Sequence, residues 1–200
     1  NGVALWRMDK PTLKLMKEAG CYSVTFAVES GSQRVLSEVI NKPQNLEKMV
    51  PLIDYARKVG LKVGSFFVVG FPHETKAEME ETFKFPYKTK LDAININRAS
   101  AFEGTELRHQ VQDQGWLFSD PDSKFDTGVI STPNFTAQWL TEKIRKENRL
   151  YLFHLLTHRP CWYLSKTGRV TVWNYTLTLF KRLFYPQNPE SASEDMSPSC

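Results

Sequence analysis

Two carboxylates occupy positions at which a parallel α/β protein binds ligands. Glu29 ends the run Tyr22-Ser-Val-Thr-Phe-Ala-Val28 and precedes Ser30-Gly31-Ser32, while Glu74 follows the run Leu61 to Val69 in the turn Gly70-Phe-Pro-His-Glu74. In such folds the turn after each strand presents side chains and free backbone groups to one shared site. A carboxylate there accepts hydrogen bonds only, which suits hydroxyl donors on a ligand. Metal chemistry has less support. Cys21, Cys161 and Cys200 show no C-x-x-C spacing, and of the four histidines (His73, His109, His154, His158) only the last two stand at i, i+4. One helix face could aim that pair at a metal, but no third ligand accompanies it. No metal site is expected, and no catalytic residue is assigned.

The elements that must hold the glutamates follow from hydrophobic spacing. Asp9 is a helix N-cap, Leu13, Met16 and Ala19 share a face, and Gly20 is a stop, so a short helix covers roughly 10–19. Val24, Phe26 and Val28 alternate with Ser23, Thr25 and Ala27. That pattern predicts a strand covered by helices on its large-residue side and facing a cavity on the other. Ser32 opens a helix carrying Val35, Leu36, Val39 and Ile40, ended by Lys42-Pro43. Asn45 starts the next, with Leu46, Met49, Val50, Ile53, Ala56 and Val59 on one stripe and Gly60 closing it. Leu61 to Val69 is a buried parallel strand. Thr75-Lys-Ala-Glu78 is a capping box, and Pro86 should kink or end the helix it opens. Ala93 to Arg98 is a strand with Ile94 and Ile96 outward and Asn95 and Asn97 inward. Those asparagines either bond neighbouring strands or meet a ligand. Gly104-Thr105 opens a helix to about 114–115.

Residues 1–115 thus alternate strand and helix, which means a parallel sheet with right-handed crossovers. A closed eight-stranded barrel needs about 200–250 residues. The expected fold class is therefore α/β, a partial TIM-like (βα) barrel, followed by an α-helical extension. Residues 116–135 read as a loop-rich connector, 136–186 as the helical extension with helices from Thr136 to about 158 and over 169–184, and 187–200 as a disordered tail. The chain opens Asn1-Gly-Val-Ala-Leu-Trp6 without Met, and is expected to be a piece cut from within a larger protein.

The string Leu15-Met-Lys-Glu-Ala-Gly-Cys21, then Val28-Glu-Ser-Gly-Ser32, Asn41-Lys42, Phe66-Phe-Val-Val-Gly-Phe-Pro-His-Glu-Thr75 and Ala101-Phe-Glu-Gly-Thr-Glu-Leu107 closely resembles the C-terminal half of a radical S-adenosylmethionine (SAM) domain. Within that family it looks most like the class with an N-terminal cobalamin-binding domain. The resemblance covers roughly residues 1–115. It implies SAM and a [4Fe–4S] cluster as cofactors, with cobalamin as a further option. The cluster reduces SAM to a 5′-deoxyadenosyl radical, and its cysteine ligands would lie upstream of Asn1. The site residues implied are Glu29 on the ribose hydroxyls, with Ser30, Gly31 and Ser32 shaping its turn. Val68 and Gly70 would pack on adenine, Pro72 and Glu74 fix their turn, and Ala99, Ala101 and Phe102 present backbone to the adenine edge. Arg98 is a candidate partner for the SAM carboxylate or an anionic substrate. The family often has Gly where His73 stands and Pro where Glu103 stands.

The resemblance leaves three functions open. One is an enzyme fragment, inactive alone, of a radical SAM methyltransferase or a related ring-modifying enzyme acting on a small or lipid-like molecule. Another is a cobalamin-independent enzyme such as a methylthiotransferase acting on RNA or protein; the third is a non-catalytic binding module. Expected partners are the substrate, an upstream cobalamin-binding domain and an electron donor such as a flavodoxin or ferredoxin. Composition adds one more. The net charge is +4, and between Lys143 and Arg182 nine Lys/Arg face one acid, Glu147, among Tyr151, Phe153, Trp162, Tyr163, Trp173, Tyr175 and Phe180. Either these aromatics pack on a neighbouring domain, or the region meets an anionic membrane surface. Nucleic acid is the other polyanion such a region could meet, but it is not the expected partner: the methylthiotransferase class carries a β-rich RNA-binding domain after the barrel, and this region reads as helical. No run of about 18 apolar residues exists, so no transmembrane span is expected. The sparse, odd cysteine count points to a reducing, cytoplasmic compartment, with the membrane surface as the alternative address.

Overall fold

The computed structural model describes residues 2–118, 129–158, 169 and 173. By contacts the chain divides into residues 1–153 and 154–200, and the fold below is that of the first unit. Three parallel strands, β1 (Ser23–Glu29), β2 (Lys62–Val69) and β3 (Ala93–Arg98), pair in the order β1-β2-β3. The free edge of β1 is partly taken up as well. Val3 N–H donates to Thr25 O at 2.8 Å and Ala27 N–H donates to Val3 O at 3.0 Å, a single parallel bridge that continues the sheet. The expected α/β parallel arrangement is present.

Four helices lie in the segments next to these strands: α1 (Lys10–Glu18), α2 (Leu46–Lys58), α3 (Lys76–Thr89) and α4 (Glu106–Asp113). Each begins where a polar side chain satisfies an orphan amide, namely Asp9, Asn45, Thr75 and Thr105. At α3 the capping box is complete: Glu78 N–H donates to Thr75 Oγ1 and Thr75 N–H donates back to Glu78 Oε2. Such caps contribute about 1 kcal/mol each.

Alternation along the strands places the core. Val24, Phe26 and Val28 of β1, Val63, Phe67 and Val69 of β2 and Ile96 of β3 are buried, as are Leu13, Met49, Ile53, Met79 and Phe83 on the helices. Each large side chain so buried is worth roughly 1.5–3 kcal/mol. The other face of the sheet carries Thr25, Ala27, Phe66 and Val68, half-buried, and Asn95 and Asn97, exposed. That is the large-covered, small-open division expected for β1, and the register extends it across β2 and β3.

The structure refines three expectations. Of the two outcomes expected at Pro86, a kink or an end, the end does not occur: α3 runs on to Thr89. At the C-terminal end of the helix, Pro86 O accepts from Leu91 N–H and from the Tyr151 hydroxyl. The helix after Ser32 is not α-helical throughout, because Val35–Val39 forms a π-turn. The connector holds a two-stranded antiparallel pair, β4 (Leu117–Phe118) with β5 (Val129–Ile130). After it, α5 (Ala137–His158) begins close to the expected Thr136. Leu140 and Tyr151 are its buried residues in this unit, and Tyr151 Oη reaches Leu91 O at 2.7 Å. Lys143 on α5 pairs with Glu80 of α3 and with Glu147. The expected helix over 169–184 and the tail at 187–200 lie outside the described residues, apart from Arg169 and Trp173. Among the described residues no helix is long and apolar enough to cross a membrane.

Candidate functional site

The C-terminal end of β1 departs from a regular strand. Ala27 pairs with Phe66 and Glu29 with Phe67, so two residues, Val28 and Glu29, oppose one. This is a β-bulge, and Glu29 sits in it with φ +71°, the left-handed region that favours glycine. A bulge with a left-handed non-glycine residue stores strain and re-aims a side chain, a combination that gathers at functional sites.

The side chain so aimed meets Lys42. Lys42 Nζ lies 2.5 Å from Glu29 Oε1, with the Glu29 side chain 16% exposed and that of Lys42 40%. The π-turn makes this meeting possible. Its wider helix gives Ile40 N–H→Val35 O and then Lys42 N–H→Leu36 O. Asn41 takes φ +53° and turns the chain back toward β1. Two glutamines hold the loop: Gln33 Nε2 donates to Gln44 O, Leu46 N–H donates to Gln33 Oε1, and Gln44 Nε2 donates to Ala27 O. Gln44 itself is 4% exposed and its Oε1 has no partner among the described atoms. Two irregular backbone segments, a bulge and a π-turn, thus converge on one ion pair, and π-turns too are frequent at functional sites.

Ser30, Gly31 and Ser32 are packed against α3. Ser30 Oγ lies 3.1 Å from Thr82 Oγ1, Gly31 N–H donates to the same Thr82 oxygen at 3.0 Å, and Ser32 N–H donates to Ser30 Oγ. A Cβ on Gly31 would come within 2.7 Å of Glu81 O, which explains glycine there. The turn after β2 is held by Glu74. Its Oε2 accepts Gly70 N–H at 2.6 Å and Phe71 N–H at 3.2 Å, while Oε1 is buried without a partner. Burial pushes the Glu74 carboxyl up to about 7, against the pull of those two amides. Pro72 is buried in the same turn. Arg34 joins the two turns, since its guanidinium forks onto Glu78 at 2.5 and 2.8 Å and donates to His73 O. That guanidinium holds the Glu78 carboxyl down at about 2, against some burial.

The remaining residues separate by face. Val68 pairs with Asn97 on the open face, next along from the Glu29–Phe67–Ile96 row. Gly70 turns toward α5: a Cβ there would lie 2.3 Å from Leu140 Cδ2. Ala99 N–H donates to Val69 O and extends the ladder, and Ala101 O accepts Arg108 Nη1. Phe102 is 52% exposed. Arg98 reaches Thr141 Oγ1 of α5 at 3.3 Å, on the helix side of the sheet. The residue that the sequence reading missed is Lys42. Its place in the Asn41-Lys42 string carried the resemblance, but nothing local tied it to Glu29. His154 and His158 stack with centroids 4.4 Å apart, and among the described residues no three His, Cys, Asp or Glu side chains gather as a metal site.

Cytidylyl-2-hydroxyethylphosphonate methyltransferase of Streptomyces wedmorensis is 39% identical over 160 residues, 74% of this chain and 30% of that protein. An uncharacterized methyltransferase of Pyrococcus horikoshii is 33% identical over 140 residues, 69% of this chain and again 30% of the relative. The chain therefore spans less than a third of the length of either. Among solved structures, coproporphyrinogen III oxidase (HemN) from Escherichia coli, a radical SAM enzyme, superimposes with a TM-score of 0.56 at 16% identity, covering 74% of this chain and 31% of that one. That likeness concerns the fold. Residues 1–85 match the family model of the radical SAM superfamily.

Proposed function

We propose that residues 1–115 form one wall of the SAM site of a radical SAM methyltransferase acting on a small molecule. The observation that carries the reading is the Glu29–Lys42 pair, held on a left-handed bulge and a π-turn at the end of β1. SAM presents a ribose diol and an α-carboxylate within one molecule. Glu29, acceptor only, suits the diol, and Lys42, donor only, suits the carboxylate. The open face beside them offers Val68 as an apolar contact for adenine. Glu74, Pro72 and Ser30 to Ser32 act one step back, by fixing the two turns. When bound, SAM supplies a methyl group or, on reductive cleavage, a hydrogen-abstracting radical.

The cluster does not fit the described residues: Cys21 is the one described cysteine, and no metal-ligand group surrounds it. Methyl transfer draws support from the names of the two relatives. Cobalamin and a flavodoxin- or ferredoxin-like electron donor enter through the resemblance of residues 1–115 to the cobalamin-containing class.

The test is SAM titration of the full-length protein by calorimetry, parent against Glu29→Ala and Lys42→Met. Each variant should bind about tenfold or more weakly, the loss of one charge-assisted contact. A Glu29→Ala protein that binds SAM as tightly as the parent removes the ribose assignment. Anaerobic reconstitution with iron and sulfide, followed by assay for 5′-deoxyadenosine or S-adenosylhomocysteine, tests the reaction class.

A further inference from the structure

The surface of α5 carries a feature that a SAM wall does not need. Arg145, Lys146, Arg149, Leu150 and Phe153 are all exposed, the last two at 45% and 65%. The 3.6-residue period places them on one face, opposite the buried Leu140 and Tyr151. Within nine residues, about 13 Å of helix, this face presents three cations and two large apolar side chains. The acids nearby do not neutralise it. Glu147 is turned to Lys143, and the exposed Glu142, one turn before Arg145 and Lys146, offsets one of the three charges and leaves the face net positive.

We propose that this face of α5 docks on an anionic lipid surface. Cations alone would suit any polyanion; the apolar pair selects among them. Leu150 has no ring to stack on a nucleobase and gains nothing beside a phosphodiester. At a bilayer it enters the boundary between headgroups and acyl chains together with Phe153. Arg145, Lys146 and Arg149 then lie level with the headgroups, their aliphatic stems along the apolar pair and their charges on the lipid phosphates and carboxylates. The sequence beyond α5 keeps the same composition, with Arg159, Lys166, Arg169, Lys181 and Arg182 among Trp162, Tyr163, Trp173 and Tyr175, residues that favour membrane interfaces. Trp173 is 64% exposed. The binding is peripheral, and it is independent of whether SAM is the cofactor.

The test is flotation of the full chain with vesicles of phosphatidylcholine, with and without phosphatidylserine, at low and at physiological salt. The parent should float with the anionic vesicles, and about tenfold or more weakly with the neutral ones. Arg145→Glu/Lys146→Glu/Arg149→Glu should lose that binding. Leu150→Ser/Phe153→Ser should retain only binding that physiological salt removes. A variant of equal net charge on other helices, Lys58→Glu/Lys84→Glu/Lys88→Glu, should float as the parent does. Circular dichroism of each variant confirms that the fold is kept. Equal loss in the Lys58/Lys84/Lys88 variant would reduce the effect to net charge and overturn the proposal. So would failure of the parent to float with anionic vesicles, or displacement from them by a single-stranded RNA at equal phosphate concentration.

Discussion

Replacing Glu29 by glycine separates what its backbone does from what its carboxylate does. At φ +71° a side chain with a Cβ costs about 1–2 kcal/mol. Glycine removes that cost and brings an unfolded-state entropy penalty of roughly 0.5–1 kcal/mol. The lost ion pair with Lys42 contributes about 0–1 kcal/mol, since the lysine is 40% exposed. These terms nearly cancel, so Glu29→Gly should unfold within about 1 kcal/mol of the parent. Glu29→Ala loses the same ion pair and keeps the strain, so it should be about 1 kcal/mol less stable than Glu29→Gly. Urea denaturation at unchanged slope reads this difference as a shift in midpoint. SAM titration of the same two proteins should show both weakened alike, because both lack the carboxylate. Two results would refute the reasoning. An alanine variant as stable as the glycine variant would mean that the bulge does not impose a left-handed residue. A glycine variant with parental SAM affinity would mean that the strain is kept for something other than a ligand contact.

Three further outcomes follow from contacts near the site. Gly70→Ala should cost about 2–4 kcal/mol, from φ +89° and from the 2.3 Å approach of Leu140 Cδ2. Adding Leu140→Ala removes the overlap but not the strain, so the double variant should be more stable than the sum of the single losses by over about 0.5 kcal/mol; strict additivity would show that the two do not meet. Glu74→Gln should change the pH dependence of unfolding. The folded Glu74 carboxyl lies at about 7 against an ordinary 4.5, so the folded state holds its proton longer than the unfolded one. Stability therefore falls as pH rises from 4.5 through 7, by something on the order of 3 kcal/mol. The glutamine variant lacks that slope, and parallel stability–pH curves for the two proteins would contradict it. Tyr151→Phe removes a hydroxyl bonded to Pro86 O and Leu91 O, and thermal unfolding should report a loss of about 1–2 kcal/mol; an unchanged melting temperature would mean that α5 does not hold the end of α3.

Much of the fold was legible because its determinants are local. The caps at Asp9, Asn45, Thr75 and Thr105 and the alternation from Ser23 to Val28 each depend on residues within one or two turns. What escaped depends on partners far along the chain or on small differences in helical pitch. Val35, Leu36, Val39 and Ile40 are spaced as well for a π-turn as for an α-helix, since over five residues the two periods barely diverge. The π-turn then accompanies a contact the spacing does not announce, that of Lys42 with Glu29. Pro86 reads as a kink or a helix end because its missing N–H is a local fact, whereas the Tyr151 hydroxyl that holds the C-terminal end of α3 at Pro86 O comes from 65 residues later. Gly70 is expected to lie against adenine, and within the fold the group that crowds it is Leu140 Cδ2, from 70 residues later. Glu29 and Glu74 looked alike in sequence, each a carboxylate after a strand. Their surroundings differ: Glu74 Oε2 accepts two amides of its own turn, whereas Glu29 meets the Lys42 ammonium at the end of β1, and on the function proposed above it is Glu29 that a ligand would meet.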